Sequence, residues 1–158
     1  MVKILDDNES LQLDHIGFAL WRAAQNWKRD FVIAMEARGF PWHGEACGAV
    51  LAHVGPAGIS QAALPAAMGA SKQAVQQLVD QLEADGVVAR APDRNDKRAN
   101  RIVLTALGLK DYRERGNVKR QIERKYRRAL GEARFAALAD ALTHLNDLCD
   151  LPPKNGHG

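Results

Sequence analysis

From residue 11 to 38 apolar side chains return every three or four positions. Ile16, Leu20, Ala23, Trp27, Phe31 and Ala34 share one face, the signature of an amphipathic helix. Phe18 and Trp21 stand off that stripe and imply a second packing surface. Gly39 and Pro41 end the helix. A shorter helix is predicted from about Trp42 to Val54, closed by the turn Gly55-Pro56-Ala57-Gly58. Ser60 is placed to cap a short helix ending near Met68 and Gly69. Ser71 is placed to cap a longer one, from Lys72 to about Asp85, that Gly86 stops. Counted from Ser60, Pro65 falls beyond the first turn, where it removes a backbone bond and kinks the helix. Two short helices joined by a turn with glycine form a helix-turn-helix pattern.

The period then changes. Val87-Val88-Ala89 and Ile102-Val103-Leu104-Thr105 are β-prone runs on either side of the polar stretch RAPDRNDKRANR, in which Pro92, Asp93, Asn95 and Asp96 supply turn chemistry. A projecting hairpin is expected. Thr105 caps a further helix running to about Leu130. Gly131 separates it from a last helix, in which Phe135, Leu138, Leu142 and Leu145 recur at heptad-like spacing. The tail LPPKNGHG is expected to be disordered. The fold class is mainly α with a small β-hairpin wing, a winged helix-turn-helix between long terminal helices. The expected divisions are an N-terminal dimerisation helix (1–40), the winged helix-turn-helix domain (41–106), C-terminal dimerisation helices (107–150) and the tail (151–158). The flanking helices carry more apolar stripe than a monomer of this size needs, which points to a homodimer.

Composition narrows the class. With 158 residues, 46% hydrophobic and 26% charged, the chain can bury a core. Net charge is +3 and the isoelectric point is near 9.0, compatible with a polyanionic partner. Cys47 and Cys149 form no disulfide framework. No apolar stretch approaches the roughly 20 residues that cross a bilayer, and residues 1–14 lack a signal-peptide pattern. A cytoplasmic protein with no membrane partner is expected.

Two regions carry candidate chemistry. On the helix from Lys72, residues Ala74, Val75, Leu78, Val79 and Leu82 face inward. Ser71, Lys72, Gln73, Gln76 and Gln77 cluster at the N-terminal, outer end, where a recognition helix meets base edges. Glutamine pairs bidentately with adenine and lysine reaches guanine or phosphate. Asp80, Glu83 and Asp85 lie toward the far end. The hairpin carries Arg90, Arg94, Lys97, Arg98 and Arg101 against Asp93 and Asp96, a net +3, and a projecting arginine suits a narrow minor groove. The helix after it, from Lys110 to Arg128, carries a net +6. That charge reads equally as a wider footprint on DNA or as a solvated face laced with ion pairs.

These residues resemble the MarR family of bacterial transcriptional regulators over roughly residues 15–148. The strongest stretch is ISQAALPAAMGASKQAVQQLVDQLEADGVVARAPDRNDKRANRIVLTALG. Within it, LVDQLEADGVVAR is similar to the family's helix-to-wing junction and DKRANRIVLT to its wing, with Asp96 and Arg98 at the tip. Pro65 departs from the pattern, which commonly has alanine there. The resemblance implies that Arg98 enters the minor groove and that Asp96 orients the wing. It places Ser71, Lys72, Gln73 and Gln76 at recognition-helix contacts. It further implies a two-fold homodimer on double-stranded DNA, with recognition helices about 34–36 Å apart on a pseudo-palindrome. Such proteins usually repress transcription, and many release DNA on binding a small molecule.

In that family small molecules bind between the dimerisation helices and the winged domain. Trp21, Arg22, Trp27, Phe31, Trp42 and His43 are the candidates here, and aromatics with an arginine suit an aromatic carboxylate effector. The same aromatics at helical spacing also read as core. His43 and Cys47, four residues apart near Glu45 and His53, form a metal-ligand spacing. Zinc-sensing relatives also use histidines after the wing, where residues 106–130 have none, so no metal and no cofactor is assigned. Cys47 as a redox sensor is a further alternative, against a plain buried thiol. No nucleophile elbow, P-loop or dinucleotide fingerprint appears, so no enzyme is expected. An architectural DNA-binding protein without effector is the competing class.

Overall fold

The computed structural model describes residues 15–44, 46–93, 96 and 98–150. In chain order these form α1 (Ile16–Glu36), a 3-10 turn (Pro41–His43), α2 (Cys47–His53), β1 (Ile59–Ser60), α3 (Leu64–Met68), α4 (Lys72–Ala84), β2 (Val88–Pro92), β3 (Asn100–Leu104), α5 (Ala106–Leu130) and α6 (Glu132–Asp150). Two compact units result, one running to Lys119 and the other starting at Arg120. The architecture is mainly helical with a small antiparallel sheet, as the sequence leads one to expect. Residues 11–14 of the first predicted helix and the tail 151–158 lie outside the described residues. No helix among the described residues is long and apolar enough to cross a membrane.

The core of the first unit gathers Val50, Leu51 and Val54 from α2, Leu64 from α3 and Val75, Val79 and Leu82 from α4. Val87, Val88 and Ile102 complete it from the sheet side, and all are buried. The α4 residues recur at i, i+4 and i+7, so one stripe of the helix packs inward and frees the opposite face. Cys47 is buried in this core, a small apolar side chain in an apolar place. The helix expected over 42–54 divides in two. Its first turn is 3-10, and Gly48 then lets α2 pack back on that turn, since a Cβ there would lie 3.0 Å from the His43 backbone.

Ser60 does not cap α3. It lies in β1 opposite Arg101, and α3 begins at Leu64 after Ala63. Pro65 therefore sits in the first turn, where a missing N–H leaves no helical bond unmade. The expected kink is thereby corrected, because the proline opens the helix. Gly69, in the left-handed region at φ 61°, closes it, and Ala70 N–H donates to Pro65 O at 3.1 Å. Ser71 caps α4, its hydroxyl accepting from Ala74 N–H at 3.2 Å. Thr105 likewise accepts from Gly108 N–H at 3.1 Å at the start of α5.

The sheet runs in the order β1-β3-β2, with Arg90 opposite Ile102 and Pro92 opposite Asn100. Its hairpin is longer than the β-prone runs alone indicate. Asp93 N–H donates to Ala99 O at 2.8 Å, so pairing persists to the tip through residues of low strand propensity. Central β3 has a partner on each side, and that pairing overrides the weak local preference. Pro92 is tolerated because β2 is an edge strand. Gly58, at φ 71°, turns the chain into β1 so closely that a Cβ would lie 2.7 Å from Ile102 O, a position only glycine fills without strain.

Candidate nucleic-acid interface and the adjoining cavity

Because α4 buries Val75, Val79 and Leu82, its outer face at the N-terminal end consists of Ser71, Lys72, Gln73 and Gln77, all exposed, with Gln76 half-buried. The first turn holds no acid, so the positive end of the helix dipole and Lys72 act in the same direction. Beyond β2 and β3 the wing turn exposes Asp96 and Arg98. The Asp96 carboxylate accepts from Arg98 N–H at 2.9 Å, and Asp96 O accepts from Ala99 N–H at 2.9 Å. Asp96 thus shapes the turn that carries Arg98. The Arg98 side chain makes no ion pair among the described residues. Arg94 and Lys97 lie outside those residues.

Other wing cations are tied inward. Arg90 bridges Asp80 at 2.5 Å and also pairs with Glu83, both on α4. Glu83 further accepts from Arg90 N–H at 3.1 Å. Burial works against the Arg90 charge, yet the hydrogen bond to Asp80 and the charge of Glu83 outweigh it and raise its pKa above the ordinary arginine value. Arg101 pairs with Asp93 at 3.3 Å and donates to Ala57 O and Gly58 O at 3.0 and 3.1 Å. These two arginines fix the wing against α4 and the turn before β1. They are not free charges for a ligand.

A second concave site lies between α1, the 3-10 turn, α2 and the first half of α5. The cavity measures about 740 Å³, and Trp27, Phe31, His43, Tyr112, Arg115 and Lys119 are among its lining residues. Trp27 and Phe31 stack with centroids 5.3 Å apart, and His43 meets Phe31 edge-on at 5.3 Å. Behind them His43 Nε2–H donates to Asp111 Oδ1 at 2.7 Å, and Arg115 Nε stands 3.0 Å from Asp111 Oδ2. Arg115 Nη1 donates to Leu51 O in α2. Burial pulls the Arg115 pKa below the ordinary arginine value, with Asp111 opposing. Arg115 Nη2 is buried without a hydrogen-bond partner.

Of the residues singled out in the sequence as ligand candidates, Trp27, Phe31 and His43 come together here. Trp21 and Arg22 are exposed on α1. Trp42 packs against the core, its indole N–H donating to Asp85 at 2.9 Å. Asp111, Tyr112, Arg115 and Lys119 were not anticipated. Their only signal was the i, i+4 spacing of Asp111 and Arg115, which in so charged a helix reads as a solvated pair. Among the described residues no group of three or more His, Cys, Asp or Glu side chains could hold a metal ion. Glu45, noted beside His43 and Cys47, lies outside them.

The sequence model of the MarR family matches residues 46–99, and the resemblance drawn from the sequence holds. MarR of E. coli in its apo form is 20% identical, with a TM-score of 0.66, over 83% of this chain and 96% of that one. The transcriptional repressor CouR, solved bound to a 23-mer DNA duplex, is 22% identical with a TM-score of 0.64, over 84% and 93% of the two chains. The transcriptional regulator Tm0710 of Thermotoga maritima is 22% identical with a TM-score of 0.61, over 84% and 92%. No curated protein matches the chain in sequence.

Removing the buried carboxylate by Asp111→Ala leaves the Arg115 cation and His43 without their common partner. The expected cost is about 3–5 kcal/mol, read as a lowered urea midpoint at fixed protein concentration.

Proposed function

We propose that this chain, which the MarR family model matches over residues 46–99, is a DNA-binding transcriptional regulator that acts as a homodimer and represses from a pseudo-palindromic operator. The observation that carries the reading is the acid-free, exposed N-terminal end of α4, flanked by an exposed arginine on the wing turn. Ser71, Lys72, Gln73, Gln76 and Gln77 meet the major groove in this arrangement, and Arg98 on its Asp96-shaped turn meets the minor groove, with Arg94 and Lys97 adding to the wing. CouR, of like fold, is itself a repressor seen on DNA, which supports the assignment. An architectural DNA-binding protein is less well supported, because amide side chains at a recognition-helix end serve sequence preference more than bulk charge.

Dimerisation is supported in each unit separately. On α6, Leu138, Leu142, Leu145 and Leu148 are exposed by 41, 39, 48 and 65%, and on α1 Ile16, Leu20 and Trp21 are likewise exposed. Apolar stripes left open on long helices are what a second subunit covers. The cavity beside α1 supports control by a small aromatic carboxylate: stacked rings suit a flat apolar body, and Arg115 and Lys119 in its lining suit an anion.

Three measurements test this reading. Against a duplex recovered by selection, Arg98→Ala is expected to weaken binding several-fold and to lower the salt dependence by about one phosphate contact; unchanged affinity and slope refute the wing assignment. Sedimentation at micromolar concentration is expected to give a dimer, and a monomer overturns that part. Benzoate in excess is expected to raise the thermal midpoint by mass action while the uncharged benzamide does not; equal effects, or none, remove the anion from the proposal.

A further inference from the structure

Four polar side chains between the two DNA-facing elements form one hydrogen-bonded line. Gln61 follows β1, and its backbone N–H donates to Asn100 O at 2.9 Å. Its side-chain Nε2 donates to Gln76 Oε1 at 2.9 Å. Gln76 Nε2 donates to Asp80 Oδ1, one turn further along α4, at 3.2 Å. Arg90 of the wing strand donates to that same Asp80 oxygen at 2.5 Å. Gln61, Gln76 and Asn100 line, with Lys72, a cleft of about 230 Å³ between α3, α4 and the wing.

The direction of this line is dictated by its end. An ionised carboxylate accepts hydrogen bonds and donates none, so Asp80 requires the NH₂ side of the Gln76 amide. The Gln76 carbonyl then faces Gln61, which must answer with its own NH₂. Gln61 Oε1 then points away from Gln76, where it is buried without a partner among the described residues. Reversing both amides would set the Gln76 carbonyl against the Asp80 carboxylate. A glutamine free on a helix surface turns over and presents donor and acceptor in either order. Gln76 has one order only, and it retains one N–H and one lone pair beyond those in use.

We propose that Gln61 and Asp80 are specificity-determining positioning residues, which hold the Gln76 amide in a single orientation and so set the base preference opposite it. The inference rests on the reading of the chain as a DNA-binding regulator. A fixed donor–acceptor order matches one base edge and mismatches its reverse, and each bidentate pair discriminates by about 1–3 kcal/mol. Arg90 holds Asp80 from the wing side, so the orientation of this amide is tied to the placement of the wing. Neither Gln61 nor Asp80 needs to touch the nucleic acid.

The full chain, offered a library of duplexes with a randomised core, tests this through the base preferences it enriches. Gln76→Ala is expected to erase preference at one position of each half-site. Gln61→Met conserves net charge, shape and the backbone bond to Asn100, and is expected to lower discrimination at that same position about threefold or more. Affinity for random duplex and its salt slope stay as in the parent protein. Gln61→Glu, whose carboxylate competes with Asp80 for the Gln76 NH₂, leaves that amide no single satisfied order and is likewise expected to lower discrimination there. Gln73→Ala acts at a different position. The inference is overturned if Gln61→Met keeps the parent preference, or if Gln76→Ala alters none. If the parent chain enriches no sequence at all, the DNA-binding regulator reading fails first and takes the inference with it.

Discussion

A fully buried carboxylate, Asp111, constrains everything around it. A charge removed from water is tolerable only when its partners arrive with the right geometry, and Asp111 takes partners from separate places in the sequence. His43 comes from the 3-10 turn and Arg115 from one turn further along α5. Arg115 in turn holds the Leu51 carbonyl of α2. The same α2 presents Val50 and Leu51 to the core that Val75 and Val79 of α4 complete. One short helix is therefore a wall of the aromatic cavity and a support of α4. A change in what Arg115 contacts bears on both without any long pathway.

The basic character of the chain is unevenly useful. Arg90 and Arg101 are fully engaged by carboxylates and backbone carbonyls, and they give the wing its attitude. Arg98, on the exposed turn, makes no ion pair among the described residues. In the second unit Arg127 is engaged too, pairing with Glu123 at 3.0 Å and with Glu132. Formal charge counted along the sequence therefore overstates the free charge, and the surplus is structural.

Most of the fold was legible. The stripes of α1 and α4, the caps at Ser71 and Thr105 and the breaks at Gly86 and Gly131 are local signals, and each element they announce is present. What escaped was non-local. A strand of two residues, Ile59–Ser60, has no periodicity and exists because β3 offers it a ladder. Missing it put the start of α3 at Ser60 and made Pro65 look like a defect. The residue types of the candidate interface were visible on α4 and the wing. The polar line through Gln61 was not, because Gln61, Gln76 and Arg90 meet only once the chain has folded. Asp111 and Arg115 were hidden by their own helix, where so many charges make a buried pair look like an exposed one.

The wing also bears on how the protein survives at high concentration. An edge strand with open amide groups is a template for a foreign strand. On β2 the N–H of Arg90 is already bonded to Glu83, and Pro92 has none to offer. A hairpin with an exposed turn thus offers little purchase for edge-to-edge aggregation, and the contact that steadies it also guards its flank.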